Sequence, residues 1–376
     1  MTRLAGHILT PRGFLDGELE LDASGRIARI DGTPLSAGAA RKSRTPKLLP
    51  GFVDLHVHGG GGRDVMEGGD AAAAVARLHA AHGTTSLLAT TMTAPPDELQ
   101  AALAALGPAC RERAPGAARI LGVHLEGPYL NPRKLGAQPD CTRPVDADEL
   151  RRLAALAPIR LVTLAPEMEG HLDALEALVG AGHRVQLGHT LGSYEDGLQA
   201  LSRGASGFTH LFNAMSPLHH RDPGMVGAAL AHATYAEIIP DLLHVHAGAI
   251  RAALRAIPRL YCVSDATAAA GMPDGEYRLG RQRVTKCLGG VRLADGTLAG
   301  STLTLDQALR NLVLELGLDL TDASRRVSTY PAEYLDLADR GRLAPGAWGD
   351  IVELDAHLRP SAVFVEGEAI GLAHAR

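Results

Sequence analysis

The run LLPGFVDLHVH at residues 48–58 ends on His56 and His58 and leads straight into Gly59, Gly60, Gly61 and Gly62. Side chains two apart on a strand project to the same side, so two imidazoles at its end can share one metal. The glycines are not followed by the Gly-Lys-Ser/Thr of a phosphate loop, and they read instead as backbone able to approach a metal closely.

Outward from this run, short apolar stretches alternate with helical ones. Strand-like pieces recur at 84–93 (TTSLLATTMT), 118–128 (ARILGVHLEGP), 159–167 (IRLVTLAPE), 184–190 (RVQLGHT), 207–215 (GFTHLFNAM), 236–246 (AEIIPDLLHVH) and 259–267 (RLYCVSDAT). Helical patterns lie between them at 71–83, 96–106, 171–182, 194–204 and 249–257. With the first run this makes eight strands, and the alternation predicts parallel strands with helical crossovers closing into a (β/α)8 TIM-type barrel. The first 46 residues and the tail from Gly346 have a different texture, with short strand-like pieces and turn glycines. We expect residues 1–46 and 346–376 to form one small β-sandwich domain, interrupted by a barrel over 47–345.

The 376 residues suit one barrel and one appendage, and 46% hydrophobic with 21% charged residues is the composition of a folded globular chain. A net charge of -5 gives no general attraction to nucleic acid. The opening lacks the apolar stretch of a signal peptide and no run is long enough for a membrane span, so a cytoplasmic protein with no membrane partner is expected. Cys110, Cys141, Cys262 and Cys287 lie far apart and read as free thiols.

Four more predicted strands end in side chains of one chemical kind: Glu126, His189, His210 and Asp265. Active sites of such barrels lie at the C-terminal ends of the strands. Any one of these residues is equally well read as a hydrogen-bonded strand end, but five strand ends together converge on a site for zinc or another divalent metal.

The order His-x-His, Glu, His, His, Asp resembles the amidohydrolase superfamily. Within it, the blocks at 50–59 (PGFVDLHVHG), 122–132 (GVHLEGPYLNP), 134–137 (KLGA), 188–190 (GHT), 209–224 (THLFNAMSPLHHRDPG), 242–245 (LLHV), 263–271 (VSDATAAAG) and 293–309 (LADGTLAGSTLTLDQAL) are similar to the N-acetylglucosamine-6-phosphate deacetylase family. The resemblance implies hydrolysis of an acetamide by a metal-activated water, with Asp265 taking and returning the proton. It implies that Glu126, His189 and His210 hold the principal ion and that His56 and His58 hold a second bridged by Glu126, giving one or two ions of zinc or iron per subunit. It further implies that His244 polarises the acetamide, that Ala137, Asn213, Ala214, Arg221, Leu298, Ala299 and Gly300 contact a phosphorylated amino sugar, and that the chain is a homodimer. The chain departs from the family pattern at Gln138, where many relatives have histidine, and at Leu242, where the family has glycine. A hydrolase for another N-acetylated amino sugar or a cyclic amide therefore stays open, as does a non-catalytic barrel.

Overall fold

The computed structural model describes residues 2–372. Eight parallel strands surround one axis: Phe52–Val57, Thr84–Thr91, Arg119–Glu126, Ile159–Leu164, Arg184–Leu187, Gly207–Phe208, Tyr235–Ile238 and Arg259–Cys262. The first six form one continuous curled sheet in sequential order, and the seventh and eighth pair with each other. Backbone bonds join the seams: Leu211 N–H donates to Glu237 O at 2.9 Å between the sixth and seventh strands, while between the eighth and first Asp265 N–H donates to His56 O at 2.9 Å and the His58 and Gly59 N–H groups both donate to Ala266 O at 2.9 and 2.8 Å.

The strands are buried along nearly their whole length; all eight residues of Thr84–Thr91 are covered. Their outward apolar side chains pack under helices whose starts are chemically marked, such as Pro96 in the first turn of Pro96–Arg111 and the reciprocal Ser193–Asp196 cap of Tyr194–Ser202. Two crossover helices, Ala147–Leu156 and Gly224–His232, were not among the helical patterns read from the sequence. The second is apolar nearly all round, so it shows no one-sided period.

The two chain ends meet in one seven-stranded sheet that includes Thr2–Thr10, Gly13–Leu21 and Ile27–Leu35 from the start and Ile351–Leu354, Pro360–Val365 and Glu368–Ile370 from the end. Its central strand, Lys47–Pro50, belongs to the run expected to open the barrel. Residues 373–376 of the expected second segment lie outside the described residues. A small core of Ile8, Leu19, Ile27, Leu48, Ile351 and Phe364 is separate from that of the barrel. A further three-stranded antiparallel sheet, Gly275–Leu279, Gln282–Cys287 and Gly290–Arg292, follows the eighth barrel strand and stands over the barrel mouth. Among the described residues no helix is long and apolar enough to cross a membrane.

Candidate metal centre and active site

At the C-terminal end of the barrel, His56, His58, Glu126, His189, His210 and Asp265 come together from five strand ends, all at least nine-tenths buried. Glu126 lies at the middle. Its Oε1 is 3.2 Å from His189 Nε2 and 3.1 Å from His210 Nε2, while its Oε2 is 3.2 Å from His58 Nε2 and 3.5 Å from His56 Nε2. Asp265 Oδ1 is 3.3 Å from His58 Nε2. His189, His210 and Asp265 have φ of 48°, 30° and 49°, a left-handed backbone that non-glycine residues adopt only where surroundings impose it. Gly300, at φ 59°, is a glycine of necessity: a Cβ there would sit 2.6 Å from Thr267 Cγ2 and 3.0 Å from the Asp265 carbonyl.

The donor set fits divalent cations. His56 Nδ1 faces Glu237 Oε2 at 3.0 Å, His58 Nδ1 faces the Thr90 carbonyl at 3.0 Å, and His189 Nδ1 faces the Lys134 carbonyl at 2.8 Å. Those acceptors hold the proton of each neutral ring on Nδ1, so Nε2 presents its lone pair inward. Yet His56 Nε2 and His58 Nε2 are 3.1 Å apart, and His189 Nε2 and His210 Nε2 are 3.0 Å apart. Lone pairs so close repel unless a cation or a proton lies between them. Three carboxylates, Glu126, Glu237 and Asp265, are buried here with no lysine or arginine bonded to them among the described residues, so the cavity calls for positive charge.

The ionisation behaviour says the same. Burial alone would lower both first-strand histidines, but Glu126, Asp265 and Glu237 raise His56 well above its ordinary value, and Asp265 and Glu126 raise His58 to about 9. Burial pushes Glu126 and Asp265 up, and the surrounding imidazoles, His56 foremost, hold both carboxyls well below the usual range. Among the described residues three groups of side chains lie close enough to hold an ion: Glu126, His189 and His210; His56, His58 and Asp265; and His56, His124 and Glu237, the last two sharing His56.

Beneath the centre a belt of hydrogen bonds crosses the barrel interior. His124 Nε2 meets Thr163 Oγ1 at 2.7 Å, Thr163 meets Thr209 at 2.7 Å, Thr209 donates to Gln186 at 3.0 Å, and Gln186 Nε2 donates to Tyr261 OH at 2.6 Å. Every polar member gains a partner, which makes this floor rigid.

Above it opens a cavity of about 390 Å³. Of the residues expected to touch substrate, Ala137, Asn213, Ala214, His244, Leu298 and Gly300 line it together with Asp265. The Asn213 N–H is already given to the His210 carbonyl at 3.1 Å, so of that pair only Ala214 keeps its backbone donor unpaired among the described residues. Ala299 does not line the cavity; it is buried with Leu279, Val284 and Val291 and supports the three-stranded sheet. Arg221 is exposed and outside the cavity, its guanidinium 2.8 Å from His220 Nε2. The paired turn of His219 and Asp222 holds it outward. The cations that do line the cavity are Arg133 and Lys134.

Three functional partners escaped the sequence reading. Glu237 fixes His56. Asp241 Oδ2 lies 2.6 Å from His244 Nδ1, and the Asp241 carboxylate also accepts the His244 N–H at 2.9 Å, aiming the other ring nitrogen at the cavity. Burial would lower His244, but Asp241 raises it. Gln138 donates through Nε2 to Glu126 Oε2 at 2.7 Å. An acid three residues before a histidine was a visible signal for Asp241; nothing local marked Glu237.

A parallel barrel with histidine and carboxylate ligands at its strand ends defines a metal-dependent hydrolase of the amidohydrolase type, and residues 48–370 match the amidohydrolase family model, so the chain belongs to that family. It is 40% identical to N-acetylgalactosamine-6-phosphate deacetylase of Escherichia coli O157:H7 over 97% of both chains. N-acetyl-D-glucosamine-6-phosphate deacetylase from Mycobacterium smegmatis superposes with a TM-score of 0.90 at 37% identity, covering 99% of this chain and all of that one. A mutant of that enzyme in complex with N-acetyl-D-glucosamine-6-phosphate gives 0.89 at 35% identity, over 98% of each chain.

Proposed function

We propose that this chain hydrolyses N-acetyl-D-glucosamine 6-phosphate to D-glucosamine 6-phosphate and acetate. The observation that carries the reading is the meeting of Asp265, His244 and the Glu126–His189–His210 cluster on the walls of one cavity of about 390 Å³, within the usual range for small-ligand sites. Glu126, His189 and His210 would hold one divalent cation, zinc or iron, and His56 and His58 with Glu126 a second; when bound, such ions lower the pKa of water and polarise a carbonyl.

The side chains perform the rest. Asp265, kept ionised by its imidazole neighbours, accepts a proton from the attacking water. His244, whose proton burial disfavours but Asp241 holds to higher pH, would donate through Nε2 to the acetamide oxygen as negative charge develops there. The carbon–nitrogen bond breaks as Asp265 returns its proton to the sugar nitrogen, and acetate and the free amine leave. Ala214 would offer its N–H to the phosphate. Arg221 lies outside the cavity of its own chain, where a residue serving a neighbouring subunit would stand, so we assign it to the phosphate of a partner in a homodimer. A phosphorylated substrate accords with work in the cytoplasm.

The 40% identity to a deacetylase of the galactose epimer favours one second reading, N-acetylgalactosamine 6-phosphate as the preferred sugar. Acetate release from the two phosphorylated epimers and from unphosphorylated N-acetylglucosamine, on protein of measured metal content, decides between them. A preference for the glucosamine phosphate supports the first reading, and a preference for its epimer the second. Release from none of them by metal-loaded protein removes both.

A further inference from the structure

Gln138 is only 4% exposed, and it stands at a junction. The Thr93 N–H, just past the second barrel strand, donates to its Oε1 at 2.7 Å. A backbone N–H can only donate, so the amide oxygen must face Thr93 and the amide nitrogen must face Glu126, where Nε2 donates to Oε2 at 2.7 Å. Glu126 Oε2 is the oxygen turned toward His56 and His58, whereas Oε1 is turned toward His189 and His210. The torsion that rotates a carboxylate is soft and roughly two-fold, so nothing intrinsic to Glu126 keeps its two oxygens divided between the two groups of histidines. A carboxylate oxygen has two lone pairs; Gln138 engages one and leaves the other for the His56–His58 side.

The geometry points to Gln138 as the positioning residue that keeps Glu126 shared between the two cation subsites, so that the chain can fill the His56–His58 subsite as well as the His189–His210 one. Gln138 also lines the cavity, but the role assigned here is through Glu126, and it deepens the two-subsite reading given above. Without its donor, Glu126 is free to turn both oxygens to the His189–His210 ion. The subsite that retains two histidines and Glu126 Oε1 keeps its ion, and the other weakens. Being a neutral amide, Gln138 makes this division independent of its own protonation.

The test is Mn2+ binding to chelator-stripped full-length protein, with free Mn2+ counted by electron paramagnetic resonance, for wild type, Gln138→Met, Gln138→Ser and Gln138→His. Wild type should bind two ions per chain. Gln138→Met, of similar volume without donor or acceptor, should bind the first ion as tightly as wild type and the second about 10- to 100-fold more weakly, the usual effect of removing a hydrogen bond to a metal ligand. Gln138→Ser, which leaves room for a water that can donate in its place, should weaken the second ion less than Gln138→Met does, and normal binding of the first ion reports that either variant is folded. Gln138→His, which restores an N–H donor, should recover the second ion. A second ion bound with wild-type affinity by Gln138→Met, or more weakly by Gln138→Ser than by Gln138→Met, overturns the proposal, as does a wild type that takes up only one. Acetate release by wild type is read separately, so that loss of the deacetylase reading is distinguished from loss of this one.

Discussion

His56 Nδ1 lies 3.0 Å from Glu237 Oε2, and both side chains are wholly buried. The same carboxylate oxygen accepts the His210 N–H at 3.1 Å, so one residue of the seventh strand steadies ligands from the first and the sixth. Glu237→Gln keeps an acceptor but removes the charge that holds the His56 proton outward. Affinity for the ion at His56 and His58 should fall about 10- to 100-fold, read by metal titration, and an unchanged affinity would contradict this role.

Among the described residues Asp265 and Glu126 are the carboxylates on the cavity wall, and the Asp265 backbone N–H is tied to His56 O. Asp265→Asn should leave the ion at Glu126, His189 and His210 bound as in wild type while kcat drops by about 10² to 10⁴, the range for loss of a proton-transfer group. Undiminished turnover would remove Asp265 from the mechanism.

Asp241 controls the pH range of His244. Burial lowers the imidazole, Asp241 more than offsets this, and the ring stays protonated above its ordinary value. The proton is present below the raised value and lost as pH rises through it. In Asp241→Asn the offsetting charge is gone, so the alkaline limb of kcat/KM should move to lower pH by about 1 unit or more. An alkaline limb at the wild-type position would show that His244 does not set it.

Glu366 joins the terminal sheet to the barrel: Arg119 binds it through two bonds of 2.9 and 2.8 Å, Arg113 through one of 3.1 Å, and Arg340 also reaches it. Burial would raise its pKa, but Arg119 and Arg340 bring it down to about 2. A carboxyl depressed in the folded state stabilises above its unfolded pKa and loses that contribution as pH falls through the folded one. Glu366→Gln should therefore cost about 1–2 kcal/mol at neutral pH, less than a fully buried pair because solvent is near. The gap to wild type in thermal unfolding should shrink as pH is lowered from about 5 toward 2. A gap that is constant with pH would mean the side chain acts by packing alone.

Much of the barrel and of the cluster at its strand ends was legible because both rest on local signals. His56 and His58 share a strand face, and Glu126, His189, His210 and Asp265 each end an apolar run. What was not legible acts across strands. Glu237 sits inside a seventh strand whose sequence shows only an apolar run, and its role exists only because the barrel brings it against His56. Gln138 was visible as a departure from the family pattern, but its bond to Glu126 depends on the path of the loop between them. The strands at 275–292 went unread because they are short and carry one or two apolar side chains each, although Glu276, Tyr277, Arg278 and Leu279 alternate; Leu279, Val284 and Val291 suffice to seat them on the rim. Arg221 reads in the sequence as a fork suited to phosphate, but a sequence does not say which way a four-residue turn points its side chain.

Deacetylation should depend on a cation centre held by Glu126 and the four histidines His56, His58, His189 and His210. The most direct test is to strip the protein with a chelator, restore Zn2+ in stepwise equivalents, and follow acetate release from N-acetyl-D-glucosamine 6-phosphate at each step. Turnover should be absent from the stripped protein and rise in proportion to bound ion. Full turnover by metal-free protein, or none from protein whose sites are filled, would contradict it.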